Sequence, residues 1–145
     1  MKFLRSLQPL SLLVLRLVLA WIFFYHGYPK LVHPTEAMRQ SFMSHGLPGY
    51  FVNIAAIFEC FGGGLLLLGL FTRPAALLLT IEMCVAIWKV HSLHGIMAVK
   101  DYEFPLALAA ACFLLGTVGA GACSVDNLVF GENGKRRRMA KSSKE

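Results

Sequence analysis

The chain has 145 residues, of which 57% are hydrophobic and 15% charged, with a mean hydropathy of +0.61. A soluble domain is ordinarily about 45–50% apolar and about 25% charged, so more apolar surface is present than a small globular core can hide. The length allows one domain and argues against a two-domain enzyme with a separate nucleotide-binding module. The formal charge of +6 lies mostly at one end: residues 132–145 hold six Lys/Arg against two Glu, a balance of +4. The other 131 residues balance at +2, which is no nucleic-acid footprint.

Four apolar stretches follow one another, at about 9–28, 49–70, 74–90 and 104–121. Each is long enough as a helix to cross ~30 Å of hydrocarbon, and their Leu- and Ala-rich character without period-two alternation argues against strands. The expected fold is all-α: an antiparallel four-helix transmembrane bundle within residues 1–130, followed by a disordered basic tail at 131–145. The first stretch also has the look of a secretory signal, since Lys2 and Arg5 precede a Leu-rich run. Arg16 interrupts that run and no small-x-small cleavage site follows, so a retained span is preferred over a cleaved one.

Between the first two stretches, Thr35 is a plausible helix cap, and Met38 and Phe42 stand four residues apart. A short interfacial helix is expected there, ending near Gly46 before Pro48. Phe71, Thr72, Arg73 and Pro74 read as a tight hairpin turn in which Pro74 opens the third helix. Counting Lys and Arg by side gives nine with both termini and the second loop, against four on the opposite side. Both termini are therefore expected in the cytoplasm of a bacterial inner membrane. The tail has two readings, a positive-inside retention signal or an anionic-lipid contact at roughly 1 kcal/mol per basic residue; the first is preferred.

A charge inside a span costs at least ~2.5–3.5 kcal/mol on insertion scales and calls for a partner or a function. Arg16, Glu59 and Glu82 fall at similar depth by residue counting, and helical phase turns each toward a bundle interior. Arg16, Ala20, Phe23 and Gly27 share a stripe with Lys30 near its outer end, and Ala55, Glu59, Gly62 and Gly63 share a face. Arg16 is expected to pair with Glu59 or Glu82. The remaining acid is then protonated, or compensated by Lys89 reaching down from the outer end, and becomes a candidate proton carrier. A salt bridge that only specifies packing is the alternative.

A second polar group gathers at the outer ends: His26 and Lys30, then Lys89, His91 and His94, then Tyr102 and Glu103. It is a candidate binding site for a small polar or phenolic headgroup, with Glu103 at a helix N-terminus; interfacial anchoring is the bland alternative. No metal is expected, because His91 and His94 have no Cys or carboxylate at ligand spacing. The four cysteines, Cys60, Cys84, Cys112 and Cys123, form no C-x-x-C pair. The first three fall near mid-depth and could cluster, although inert packing suits thiols in apolar runs better. Gly62-Gly63-Gly64 has no Lys-Ser/Thr and is no phosphate loop.

Taken in order, these residues resemble the DoxX family of small bacterial four-helix membrane proteins. The matching features are Arg16, Gly27 and Lys30; Gly46-Leu47-Pro48; Glu59 with Gly62-Gly63; and Leu68-Gly69-Leu70-Phe71-Thr72-Arg73. Met83, Ala86 and His91 follow, then Tyr102-Glu103-Phe104, Gly119 and Ser124-Val125-Asp126. The resemblance implies links to quinone-coupled sulfur oxidation, membrane oxidoreductase complexes and resistance to thiol or quinone stress. DoxX-like folds also include eukaryotic membrane-protein chaperones and cargo receptors. By resemblance, Arg16, Glu59, Arg73, His91 and Glu103 are the positions of functional interest.

The leading expectation is a component of a membrane redox system that binds a quinone or similar small hydrophobic ligand. Arg16, Glu59 and Glu82 would handle protons, and His91 or Tyr102 would hydrogen-bond the headgroup. No haem, flavin or iron–sulfur ligand set is visible, so electrons would come from a redox partner protein or membrane complex. The rivals are a non-enzymatic accessory or assembly factor and a small proton-linked carrier. The homo-oligomeric state is open.

Overall fold

The computed structural model of the protein describes residues 6–91 and 99–131. Every regular element among them is helical: α1 (Gln8–Val32), α2 (Glu36–Ser44), α3 (Phe51–Leu68), α4 (Thr72–Ala86), α5 (Val99–Val118) and α6 (Val125–Phe130). A π-helical turn, Ile87–His91, continues α4. Among the described residues, two helices are long and apolar enough to cross a membrane: α1 with 25 residues and α3 with 18. At the usual rise these are about 37 Å and about 27 Å long. The apolar part of α5, Tyr102–Val118, is shorter.

The expected stretches return as helices with shifted ends. α1 runs through Pro29 to Val32, beyond the expected end at residue 28. α5 starts at Val99 rather than 104, which puts Glu103 a full turn inside the helix instead of at its N-terminus. It stops at Val118 because Gly119 and Gly121 take φ of +93° and +78°, left-handed conformations that break a helix and suit glycine. The basic tail, His94 and the His91 side chain lie outside the described residues.

Helix pairing follows from close approaches of small residues. An ideal Cβ on Gly63 would lie 3.2 Å from the Ala20 carbonyl oxygen, and one on Gly27 only 2.7 Å from Glu59 Cβ. Rising along α1 therefore means descending along α3, and the two run antiparallel with backbones nearly touching. Gly62 meets Leu79 of α4 in the same way, and Gly116 of α5 meets Leu77. Leu12, Leu19, Phe23, Leu66, Leu79, Met83, Leu108, Cys112 and Leu115 form one core shared by α1, α3, α4 and α5. The outward faces stay strongly apolar: Trp21, Phe61, Ile81 and Trp88 are all more than 60% exposed. Large apolar side chains left uncovered at this density suit a lipid environment rather than water.

The turn between α3 and α4 is built by backbone chemistry. Gly69, at φ +66°, closes α3 with its N–H donating back to Leu66, and the Leu70 N–H donates to the Leu65 carbonyl at 3.0 Å. Phe71 follows at φ +48°, a conformation unusual for a bulky residue. Asp126, at the start of α6, holds it there. Its two carboxylate oxygens accept from the Phe71 and Thr72 N–H groups at 2.7 and 2.9 Å, and its own N–H donates to Gly69 O at 2.8 Å. Pro74 consequently sits within the first turn of α4, where its missing N–H costs nothing.

Helix α2 forms where Thr35 was expected to cap it, with the Thr35 hydroxyl accepting from Met38 N–H at 3.3 Å. Gly46, at φ +74°, turns the chain back toward α3. The helix lies over the end of α3 that carries Phe51 and contributes no buried residue.

Candidate functional site

The stripe predicted on α1 faces inward: Arg16, Ala20 and Phe23 are buried, Gly27 is buried, and Lys30 is half-buried beyond them. Arg16, 2% exposed, does not meet either glutamate. Its Nε donates to Leu66 O at 3.0 Å, and one terminal nitrogen donates to Ala120 O at 2.9 Å and Cys123 O at 2.8 Å. The other reaches Leu67 O at 3.4 Å. The expected Arg16–carboxylate pair is thus replaced by capping of two chain ends, the C-terminus of α3 and the Gly-rich segment after α5. The cause is helix register. Residue counting set Arg16 level with Glu59, but in the packed pair it lies beside Leu66–Gly69, and its long side chain extends toward the helix-end carbonyls there.

Glu59 is claimed by Lys30 instead. Lys30 Nζ stands 2.6 and 2.7 Å from the two Glu59 oxygens, with Glu59 only 5% exposed. Gly27 makes this reach feasible, since a side chain at that position would collide with Glu59 Cβ and Cys60 Sγ and hold the helices apart. The signal in the sequence was present, as Lys30 and Gly27 were on the right face, but the partner assignment was not.

Glu82 is the third charge. Both of its carboxylate oxygens are shielded from solvent and have no hydrogen-bond partner among the described residues. Lys89 does not reach it; its ammonium lies 4.7 Å from the centroid of the neighbouring Trp88 ring. Seven residues apart, Glu82 and Lys89 would stand nearly in register on a regular α-helix, but the π-helical turn at Ile87–His91 advances fewer degrees per residue and breaks that alignment.

Lys30, Glu59 and Glu82 line one cavity of about 230 Å³. Its walls are two helical stripes, Phe51, Ile54, Ala55, Phe58 and Glu59 on α3 and Leu78, Ile81, Glu82, Val85 and Ala86 on α4. Both follow the i, i+3, i+4, i+7, i+8 spacing of a single helix face. Phe42 of α2 and Leu47 of the following loop close one side. Three charged side chains thus border an otherwise apolar chamber, the usual composition of a small-molecule site.

The remaining candidates are placed elsewhere. His26 is exposed, with Nδ1 at 2.9 Å from Ile22 O and its ring 5.9 Å from Phe104. Tyr102 is half-buried and Glu103 exposed, and neither borders the cavity. Arg73 is exposed and donates to Val118 O at 3.4 Å. The cysteines do not cluster: Cys112 is buried in the core, Cys60 half-buried beside Gly27, and Cys84 and Cys123 exposed. Asp126 and the capping role of Arg16 are what residue reading missed. Asp126 stood out only within the Ser-Val-Asp run.

The DoxX family model matches residues 11–92. A Haemophilus influenzae protein of uncharacterised function is 33% identical over 88% of this chain and 96% of its own length. CatD of Bacillus subtilis, whose name assigns it provisionally to the oxidoreductases, is 31% identical over 81% of this chain and 86% of its own. The inner membrane protein YqjF of Escherichia coli is 29% identical over 86% of this chain and 96% of its own. No solved structure matches the chain significantly.

Proposed function

The chain belongs to the DoxX family of membrane proteins, and from that membership we propose that its α3–α4 cavity binds a quinone or similar small hydrophobic ligand within a membrane redox system. The observation that carries this reading is the chamber itself, apolar on its walls with Lys30, Glu59 and Glu82 among its lining residues. A cavity of about 150 Å³ accommodates benzene, so 230 Å³ suits one ring with small substituents. The oxidoreductase name of one relative supports the redox half of the proposal.

In this reading Lys30 and Glu59 fix the helix spacing and the field at the cavity, and Glu82 exchanges a proton with the ligand. A carboxylate charged and unpaired there would cost several kcal/mol, so a proton is readily held and passed. Electrons come from a partner protein. The domain is a four-span antiparallel bundle within residues 1–130, set in a bacterial inner membrane with both termini and the basic tail in the cytoplasm. The antiparallel helix pairs, the apolar outer faces and the Lys/Arg bias support this arrangement.

Calorimetric titration of the detergent-purified protein with a one-ring benzoquinone tests the reading. Ala55→Phe, which fills the cavity from α3, is expected to weaken binding at least tenfold while a thermal melt shows the variant folded. Equal binding by both proteins sinks the proposal. Addition of a thiol or thiosulfate donor then separates a redox component from a mere binder. The accessory role is the second reading, favoured by an apolar groove of about 750 Å³ between α1 and α3 that includes Trp21, Phe24, Tyr25 and Tyr28. Recovery of a stoichiometric membrane partner without quinone binding would favour it.

A further inference from the structure

We propose that the cavity between the α3–α4 turn, the end of α5 and α6 holds the phosphate headgroup of an anionic phospholipid, with Arg73 as its main contact. This site lies at the opposite end of α4 from the cavity that contains Glu82 among its lining residues, and it stands independently of the quinone reading.

The cavity measures about 620 Å³, within the ~300–1,000 Å³ of ordinary small-ligand sites. Arg73, from the first turn of α4, lines it together with Val118, the Gly119–Gly121 segment and Asn127. Arg73 is exposed, and among the described residues its guanidinium makes one long hydrogen bond, from a terminal nitrogen to Val118 O at 3.4 Å. It forms no ion pair among the described residues. Most of its five hydrogens therefore remain for a ligand. Gly119 gives the guanidinium its place, since an ideal Cβ there would lie 3.2 Å from Arg73 Nε. Asp126 also lines the cavity, but its two oxygens are committed to the Phe71 and Thr72 N–H groups.

The rim favours a lipid as the source of the anion. Phe71 at the cavity and Leu128 and Val129 of α6 are exposed apolar side chains, which suits the level where acyl chains meet headgroups. Lys135, Arg136, Arg137 and Arg138 follow closely on Gly131, itself a lining residue. Covalent reach alone keeps Lys135 within about 14 Å of Gly131. A basic cluster beside a cavity at the end of spanning helices is the composition that receives phosphoryl headgroups. A phosphodiester offers two acceptor oxygens that the planar guanidinium fork matches in pairs.

Thermal melts of the full-length protein in non-ionic detergent at low salt test this, with phosphatidylglycerol and phosphatidylcholine of identical acyl chains as the additives. Phosphatidylglycerol is expected to stabilise at a half-saturating concentration at least tenfold lower than phosphatidylcholine. Arg73→Gln should raise the phosphatidylglycerol requirement about tenfold through the loss of the charge-assisted contact. Arg39→Gln removes the same charge on α2, at the other end of the molecule, and should leave the requirement unchanged. Val118→Glu sets a carboxylate beside Arg73, should weaken the lipid effect likewise, and serves if Arg73→Gln does not fold. Equal half-saturation by the two lipids, or equal losses in Arg73→Gln and Arg39→Gln, overturns the inference. Glycerol 1-phosphate acting as strongly as the lipid, with the same dependence on Arg73, keeps the phosphate site and overturns its lipid occupant.

Discussion

Arg16 stays charged at 2% exposure by exchanging water for backbone. Its guanidinium donates to carbonyls of two chain segments, Leu66 at the end of α3 and Ala120 and Cys123 after α5, and a planar fork with five hydrogens can do this where an ammonium cannot. Arg16→Lys is therefore expected to destabilise the fold by about 2–4 kcal/mol, read as a drop in the midpoint of thermal unfolding in detergent. A change below about 0.5 kcal/mol would show that those carbonyls find other donors. The Lys30–Glu59 pair behaves differently, because each partner's burial is tolerable only with the other present. Lys30→Met should cost about 3–5 kcal/mol by stranding Glu59, and adding Glu59→Gln should recover much of the loss. Additive effects in the double variant would mean the two residues do not stabilise one another.

Among the elements, the α1–α3 contact depends on glycine and the α3–α4 turn on a remote carboxylate. A methyl group on Gly27 would have to pass within 2.7 Å of Glu59 Cβ and 2.9 Å of Cys60 Sγ, so Gly27→Ala must push the helices apart. The expected cost is about 1–3 kcal/mol, together with a longer Lys30–Glu59 separation. Chemical denaturation measures the first, and a double-mutant cycle with Lys30→Met the second, through a shrunken coupling energy. Asp126 acts on α4 as an N-cap supplied from the other end of the domain. Asp126→Ala removes two charge-assisted bonds to backbone N–H groups and the restraint on Phe71, for an expected loss of about 1–2 kcal/mol in the same melt.

For the whole molecule, the α3–α4 cavity and the Arg16–Asp126 cluster lie at opposite ends of the α1–α3 pair. Lys30 and Glu59 mark one end, and Arg16 with Gly69 marks the other. Under the proposed topology, α2 and the cavity face the outside and Cys123 the cytoplasm. In a background with the other cysteines replaced, a membrane-impermeant maleimide should label Ser44→Cys in intact cells. Native Cys123, in a protein with Ser44 unchanged, should react only after permeabilisation. The reverse pattern would invert the orientation that the Lys/Arg count favours.

Helix formation and the inward stripes were legible in the residues because both are local. A long apolar run reports a helix through its length, and 100° per residue fixes which side chains share a face. Hence Arg16, Ala20, Phe23 and Gly27 were correctly grouped, Thr35 was recognised as a cap, and Glu59 and Glu82 were singled out as charges needing an answer. Partner choice is not local. It depends on how far one helix slides along another, and an offset of about two helical turns moved Arg16 from the level of Glu59 to the carbonyls of Leu66 and Leu67. That slide is governed by where Gly27 and Gly63 let backbones touch. Sequence alone therefore determined an all-helical, lipid-suited chain with a few conspicuous charges, whereas tertiary packing decided that Lys30 neutralises Glu59 and leaves Glu82 unanswered at the cavity.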